Sequence, residues 1–412
     1  MAWLTGWNYR KAITITNAGS ALTNYQVSVT VDTASLVTAS PSKMRSDCGD
    51  IRFTDTDGST SLPYWIESGV NSSSTKIWIK IPSVPASETI YIYYGNSSAT
   101  YNNSTGGTDT FDFYDDFNDN DISDWTQMPS TGYGGAAIDV IGGAAHGGGT
   151  STSRGIMKTY TVGQSVVWET SLQRTGQMND GRYGKSMAML TFNGAGGYWP
   201  YEGYMVQLDT QNDSNSPIPN AINLIRVNNA GVTTNIIGTA NGWAPDANYH
   251  TIKVTRNASN LFELFVDGTS KGTATDSTYS GLLYVGFWFI SGGGSSQKDG
   301  YMDYFRIRKY ASPEPTFSIS GTEDLGVTAT AMTITPSETP CRTGICTVTV
   351  NVTWQNVGSS SITFRPKILI DGVTYVQAAS DMTLGSYLAT DSSSITTSTL
   401  SAGIHSICPY PN

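Results

Sequence analysis

Residues 76–81 read K-I-W-I-K-I, and residues 89–94 read T-I-Y-I-Y-Y. Apolar and polar side chains alternate in both. A helix repeats its faces every 3.6 residues and a strand every two. Each stretch is therefore a strand with one buried face and one wet face. The same period runs through R-K-A-I-T-I-T (10–16) and Y-Q-V-S-V-T-V (25–31). Helical periodicity is nearly absent from the chain. Strand signals recur roughly every 8–12 residues between Gly, Asn, Asp and Ser, the pattern of sandwiches and barrels.

Working outward, Asp57-Gly58 between the 51–54 and 62–67 runs suits a tight hairpin turn. A first domain, 1–105, closes at Gly95-Asn96, and residues 96–110 read as a polar linker. A second, 111–322, is glycine-rich, with long loops at 128–155 and 209–220. Its strands are expected at 201–208, 222–227, 250–255, 261–266, 282–290 and 301–308. About 200 residues of antiparallel strand suit a two-sheet jelly roll. Residues 311–325 form a proline-containing junction, and a third domain, 326–412, has the length of an immunoglobulin-like sandwich. Its strands are expected at 347–354, 362–370 and 373–377. The expected fold is all-β, three β-sandwich domains in tandem, the central one a jelly roll.

The 412 residues carry a net charge of −10, with only 14% charged and 11% aromatic. Ser and Thr make up about a quarter of the chain, so hydroxyls and amides carry its solubility. An acidic chain without a basic run is a poor partner for nucleic acid or anionic membrane. No apolar run approaches the ~18 residues of a membrane span. Three histidines and four cysteines leave little for a His/Cys metal centre. The opening Met1-Ala2-Trp3-Leu4-Thr5-Gly6-Trp7 has no basic segment followed by an apolar one. The expectation drawn is a removed leader, or synthesis in the cytoplasm and release within a particle.

Several stretches resemble known families. W-N-Y-R-K-A-I-T-I (7–15), D-I-R-F-T-D-T-D-G (50–58), L-P-Y-W-I-E (62–67), I-W-I-K-I-P (77–82) and I-Y-I-Y-Y-G-N (90–96) resemble a small β-domain family of undefined function. That family occurs in archaeal, bacterial and viral surface proteins. F-Y-D-D-F-N-D-N-D-I-S-D-W (113–125) and Y-M-D-Y-F-R-I-R-K-Y (301–310) resemble the first and last strands of a concanavalin A/laminin-G-like domain. T-V-T-V-N-V-T-W-Q-N-V-G (347–358) and I-D-G (370–372) resemble immunoglobulin-like adhesion modules. These families are defined by fold more than by activity, so the resemblance names no chemistry.

Candidate chemistry follows from residue types. A glycosidase needs two carboxylates about 5–10 Å apart across the bond. Glu202 and Asp209 are seven apart, on opposite faces of a strand, while Glu169 and Glu263 are isolated. No G-x-S-x-G elbow accompanies His146, His250 or His405. The protein is expected not to be an enzyme. D-D-F-N-D-N-D-I-S-D (115–124) is dense in the hard oxygens that suit calcium. The resemblance implies that a structural Ca²⁺ ties the first strand to the last, through Asp116 and Asp303 with Asp115 next. An Asx-rich turn without metal is the plainer alternative. Cys341 and Cys346, in C-R-T-G-I-C, are expected to bridge a turn, and Cys48 to be a buried free thiol.

Sugar binding needs aromatic faces beside amides and carboxylates. In 282–290, Leu283, Val285, Phe287 and Phe289 point one way, and Tyr284, Gly286 and Trp288 the other. The all-apolar odd set is the core candidate. Tyr284 and Trp288 then line the outer, concave sheet face, with Trp199, Tyr201 and Tyr183 as its rim. Core or turn packing is the plainer reading of each. The expected protein is a non-enzymatic structural and adhesive protein at the virion surface or otherwise extracellular. A tail fibre, spike or receptor-binding subunit contacting host-surface glycans is preferred. The rivals are a secreted or cell-surface adhesin of an archaeon or bacterium, and a polysaccharide-degrading enzyme. Expected partners are surface glycans and other subunits of the same assembly, with a homo-oligomer expected although no heptad or repeat specifies it.

Overall fold

The alternating stretches are strands in the computed structural model. It describes every residue except 1, 41, 102, 129–136, 150–151, 177–183, 194, 197–198, 201, 210–220, 239–246, 292–297, 338–345, 359–360, 372–373, 386–387, 398–404 and 412. Two compact units result. Gly107–Glu314 is one, and the other joins Met1–Gly106 to Pro315–Asn412.

The N-terminal segment holds β1 (Tyr9–Thr16), β2 (Leu22–Val31), β3 (Arg52–Thr54), β4 (Tyr64–Ser68), β5 (Thr75–Val84) and β6 (Ser87–Tyr94). A short helix, α1 (Thr33–Val37), follows β2. One sheet runs β2-β5-β4, and another contains β1-β6-β3. Ile13, Ile15, Val29, Ile77, Ile79, Ile81 and Ile90 are fully buried. Each contributes roughly 1.5–3 kcal/mol of apolar burial. Gly58 has φ +79°, and a Cβ there would stand 2.3 Å from the carbonyl oxygen of Ala2, so this turn requires glycine. The expected linker is not all irregular: α2 (Asn103–Thr110) is helical.

In Gly107–Glu314 the strands are β7 (Phe113–Asp115), β8 (Thr126–Gln127), β9 (Asp139–Ile141), β10 (Ala144–Gly149), β11 (Thr152–Thr159), β12 (Val166–Gly176), β13 (Gly184–Phe192), β14 (Ala195–Gly196), β15 (Trp199–Pro200), β16 (Gly203–Asp209), β17 (Ala221–Val227), β18 (Thr233–Gly238), β19 (His250–Arg256), β20 (Leu261–Val266), β21 (Thr269–Thr275), β22 (Tyr284–Ser291) and β23 (Lys298–Lys309). They build an eight-stranded sheet, β21-β20-β19-β12-β23-β10-β9 with β7 on β23, and a seven-stranded sheet, β18-β17-β16-β13-β22-β11-β8. One apolar core collects inward residues of both sheets, among them Trp168, Leu190, Tyr204, Leu224, Phe262 and Phe305. Val285, Phe287 and Phe289 belong to it, as the odd set of β22 requires. Leu283, just before that strand, is 48% exposed instead. The expected loop 128–155 contains β9 and β10. Their run A-A-H-G-G-G has little β propensity. It forms because a Cβ on Gly147 would stand 2.6 Å from Cβ of Phe289, so only glycine lets the strand lie there.

The chain then returns to the first unit as β24 (Thr316–Ile319), β25 (Asp324–Leu325), β26 (Val327–Pro336), β27 (Val348–Asn356), β28 (Ile362–Phe364), β29 (Pro366–Ile370), β30 (Thr374–Gln377), β31 (Met382–Leu384), β32 (Thr390–Thr396) and β33 (Ile407–Pro411). Part of the expected junction is thus strand: β24 and β25 both pair with β1. Arg10 locks this join. Its Nε donates to Asp324 (2.9 Å), and its guanidinium lies 4.7 Å from the Trp3 ring centroid and 4.3 Å from that of Tyr91. Trp354 is a fully buried core tryptophan beside Val350, Val352 and Phe364. Cys346 is disulfide-bonded, Cys48 is free and buried, and Cys408 is free and exposed. Cys341 lies outside the described residues. No helix among the described residues is long and apolar enough to cross a membrane.

Candidate functional site

The outer face of the eight-stranded sheet carries one cross-strand row of polar and aromatic side chains. Asp139 on β9 stands opposite His146 on β10, His146 opposite Tyr301 on β23, and Tyr301 opposite Gln173 on β12. Directly opposed residues share a face. Tyr249, just before β19, extends the row: its ring is 6.5 Å from that of Tyr301. Gln173 Nε2 donates to the carbonyl of Ala247 (2.7 Å), which holds that approach. The inward neighbours Met302, Ala145 and Leu172 are core residues, so alternation sends this row outward.

His146 is clamped. Its Nδ1 is 2.7 Å from Asp139 Oδ1, its Nε2 is 3.0 Å from Asp299 Oδ1, and its ring lies 4.8 Å from that of Tyr301. Both nitrogens donate together only when the ring carries both protons. Tyr249 is 41% exposed, and Tyr301 is half-buried. Burial, then Asp303 and Tyr301, push the Tyr249 phenol up to about 12. Burial, then Asp299 and Asp139, raise Tyr301. Both phenols keep their protons at neutral pH and can donate. Burial, then the neighbouring Asp116, raise the Asp303 carboxyl. The row therefore offers two aromatic faces, two phenol donors, an amide, and carboxylate acceptors on its flanks.

Sequence reasoning missed Tyr249, Tyr301, Gln173 and the His146 clamp. Only the register of five separate segments brings them together. The expected site lies on the other sheet and needs correction. Trp288 is fully buried, not open to a ligand. Its indole packs with Met128, Met187, Met189, Phe192 and Met205 in a second apolar cluster, against which Tyr284 is half-buried. Alternation put both on the outer face correctly but could not say that the face is closed. Trp199 lies in β15, which pairs with β14. Tyr183 and Tyr201 lie outside the described residues.

The first and last strands of this unit do pair, Asp115 opposite Phe305. That brings Asp116 near Asp303. Asp115 is otherwise engaged: its Oδ1 accepts from the Phe117 amide (2.9 Å) and its Oδ2 from the Trp125 indole (2.6 Å). It serves as the anchor of an Asx turn. Calcium takes six to eight oxygens, and two neighbouring carboxylates fall short of that set. Among the described residues no group of three His, Cys, Asp or Glu is placed to hold a metal. The calcium expectation does not fit these residues.

Two other charged clusters are tied up in ion pairs. Glu169 is not isolated, because Arg306 and Arg308 both donate to its Oε2 (2.7 and 3.2 Å). In the other unit a cleft of about 580 Å³ is lined by Tyr9, Lys43, Arg45, Asp47 and Asp50 among others. There Arg45 is bonded to Asp47, and Lys43 to Glu323.

A family model described as a domain of unknown function (DUF2341) matches residues 47–128. The match, about a fifth of the chain, crosses from the first segment past Gly106 into β7 and β8. A search of curated proteins returns no match. Solved structures similar to this chain include one described by endo-acting O-glycanases that human gut microbiota express to initiate mucin breakdown. It is 14% identical, with TM-score 0.38, over 49% of this chain and 100% of that one. Another is the VIP36 exoplasmic/lumenal domain in its Ca²⁺/Man3GlcNAc-bound form (14%, TM-score 0.38, 48% and 88%). A third is the carbohydrate-binding module CBM66 from Bacillus subtilis (13%, TM-score 0.32, 45% and 96%).

Proposed function

We propose that Gly107–Glu314 is a non-enzymatic glycan-binding unit whose ligand lies along the Tyr249–Tyr301 row. The observation that supports this is the row itself: two tyrosine rings 6.5 Å apart on an outer sheet face, flanked by Asp139, Asp299 and Asp303. Sugar C–H faces stack on such rings, and their hydroxyls bond to carboxylates and phenols. With the hydroxyl-rich composition, the reading extends to an adhesive protein displayed on a virion as a fibre, spike or receptor-binding subunit. A secreted adhesin differs only in where the chain is found, which immunolabelling of particles and cells separates.

A glycan array on the purified chain, with calcium and with chelator, tests the binding reading beside Tyr301→Ala. Binding to a narrow sugar set is expected, insensitive to chelator and lost in the variant. An empty array, or a Tyr301→Ala variant that binds as before, overturns the site. Release of reducing sugar from a bound glycan overturns the non-enzymatic reading.

A further inference from the structure

Strand β26 lies at the edge of its sheet, whose order is β26-β27-β32. Its ten residues, V-T-A-T-A-M-T-I-T-P, carry no charge. Among the described residues no strand pairs along its other side. A register shift between Ala329 and Ala331 sets which side chains point inward beyond it. From there Met332 stands opposite Val352, and Ile334 opposite Val350. Directly opposed residues share a face. Val350 and Val352 are fully buried core residues, so Met332 and Ile334 point the same way. Yet they are 38% and 49% exposed. The apolar face of β26 overhangs the core it belongs to. Its opposite face carries Ala331, Thr333 and Thr335, all exposed.

An open edge offers unpaired N–H and C=O groups to any strand that reaches it, and folded proteins guard such edges with charge, proline or short length. The other sheet edges of 326–412 are guarded in these ways. β33 carries Pro409 and Pro411, and β32 carries Asp391. β30 is four residues long, and β28 and β31 are three each. β26 has only a proline at its last position. We propose that β26 is a dimer interface, pairing antiparallel with β26 of a second copy about a two-fold axis at Thr333. A two-fold interface sets one patch against itself, so the strand must complement its own reverse. About Thr333 it does. Met332 falls opposite the partner's Ile334, Thr333 opposite the partner's Thr333, and Ala331 opposite the partner's Thr335. Apolar meets apolar on the inward face, and no like charges are opposed. The apolar stripe then runs from Val352 through Met332 to the partner's Ile334 and the partner's Val350. An axis at Met332 would instead set Ile334 against Thr330, and one at Ile334 would set Met332 against Pro336. The inference uses no residue of the Tyr249–Tyr301 row and stands apart from it.

The test is sedimentation velocity of the purified full chain over a concentration series. A dimer fraction that rises with concentration is expected. Met332→Lys and Ile334→Glu should each sediment as monomers, because each buries a charge against an apolar side chain beside the axis. An equimolar mixture of the two should dimerise again, since the introduced lysine then faces the introduced glutamate. Melting curves establish that both variants fold. Thr333→Cys reads the same register without adding charge, in a Cys408→Ser background that removes the exposed free thiol. Opposed residues of paired strands lie about 4.5–5.5 Å apart, within reach of a disulfide, so oxidation should give a covalent dimer. Thr335→Cys in the same background, which faces Ala331, should not link. A wild-type chain that stays monomeric throughout overturns the inference, as do charged variants that dimerise like it. A mixture of folded variants that stays monomeric overturns it too, as does a Thr335→Cys chain that links as readily as Thr333→Cys.

Discussion

Glu169 sits on the outer face of β12 between two arginines of β23. Burial alone raises its carboxyl, but Arg306 and Arg308 outweigh burial and hold it at about 2, below the ordinary 4.5. A depressed carboxylate stabilises the fold fully above its unfolded pKa and loses that contribution as pH falls through the folded value. Glu169→Gln removes the anion that the two arginines share, while Arg308 keeps Glu314 (2.8 Å); breaking a buried pair in this way costs about 3–5 kcal/mol. Denaturant unfolding should show the wild-type advantage over this variant constant above pH 4.5 and shrinking between pH 4.5 and about 2. An advantage that does not change with pH would mean that the pair contributes by packing alone. This pairing was not legible in the sequence. Glu169 lies more than a hundred residues from its arginines, and nothing local to it marks a partner.

At the scale of elements, alternation read most strands well, because half-buried strands must alternate. β5, β6, β19, β20 and β22 lie close to where the pattern put them. It failed where glycine replaces apolar residues. β10 looks like a loop because its inward position at Gly147 is filled by Phe289 reaching across from the other sheet, not by a side chain of its own. That strand carries His146, so half of the candidate site went unseen with it. Gly147→Val should force Phe289 out of the core, an overpacking cost of about 1–3 kcal/mol. A melting curve should show the loss, and the glycan array should show weaker binding as His146 leaves Tyr301. A variant with unchanged melting and unchanged binding would show that β10 does not position the row. The tryptophan of β22 teaches the complementary lesson. Period two assigns a face, whereas exposure depends on what neighbouring strands place beside it, here four methionines.

At the scale of the whole molecule, the all-β class was legible in the sequence. The return of the chain to its own beginning was not. β24 is four residues long, and its partner β1 lies some three hundred positions earlier, joined by backbone bonds from Ile13↔Ile319 to Thr16↔Thr316. No local pattern specifies a pairing of that range. Gly6 adds a bridge to Gly358, and Glu323 bonds both Lys43 and Tyr94.

That splice has a mechanical meaning. Tension applied between the two chain ends does not run along the covalent path through Gly107–Glu314, because the β1–β24 ladder and the Arg10–Asp324 bond short-circuit it. The inserted unit is slack until those contacts rupture. In a single-molecule pulling experiment on the full chain, the first unit should yield before any extension from the second. The Tyr249–Tyr301 row, which lies in the slack segment, would keep its shape while the first unit is being torn at.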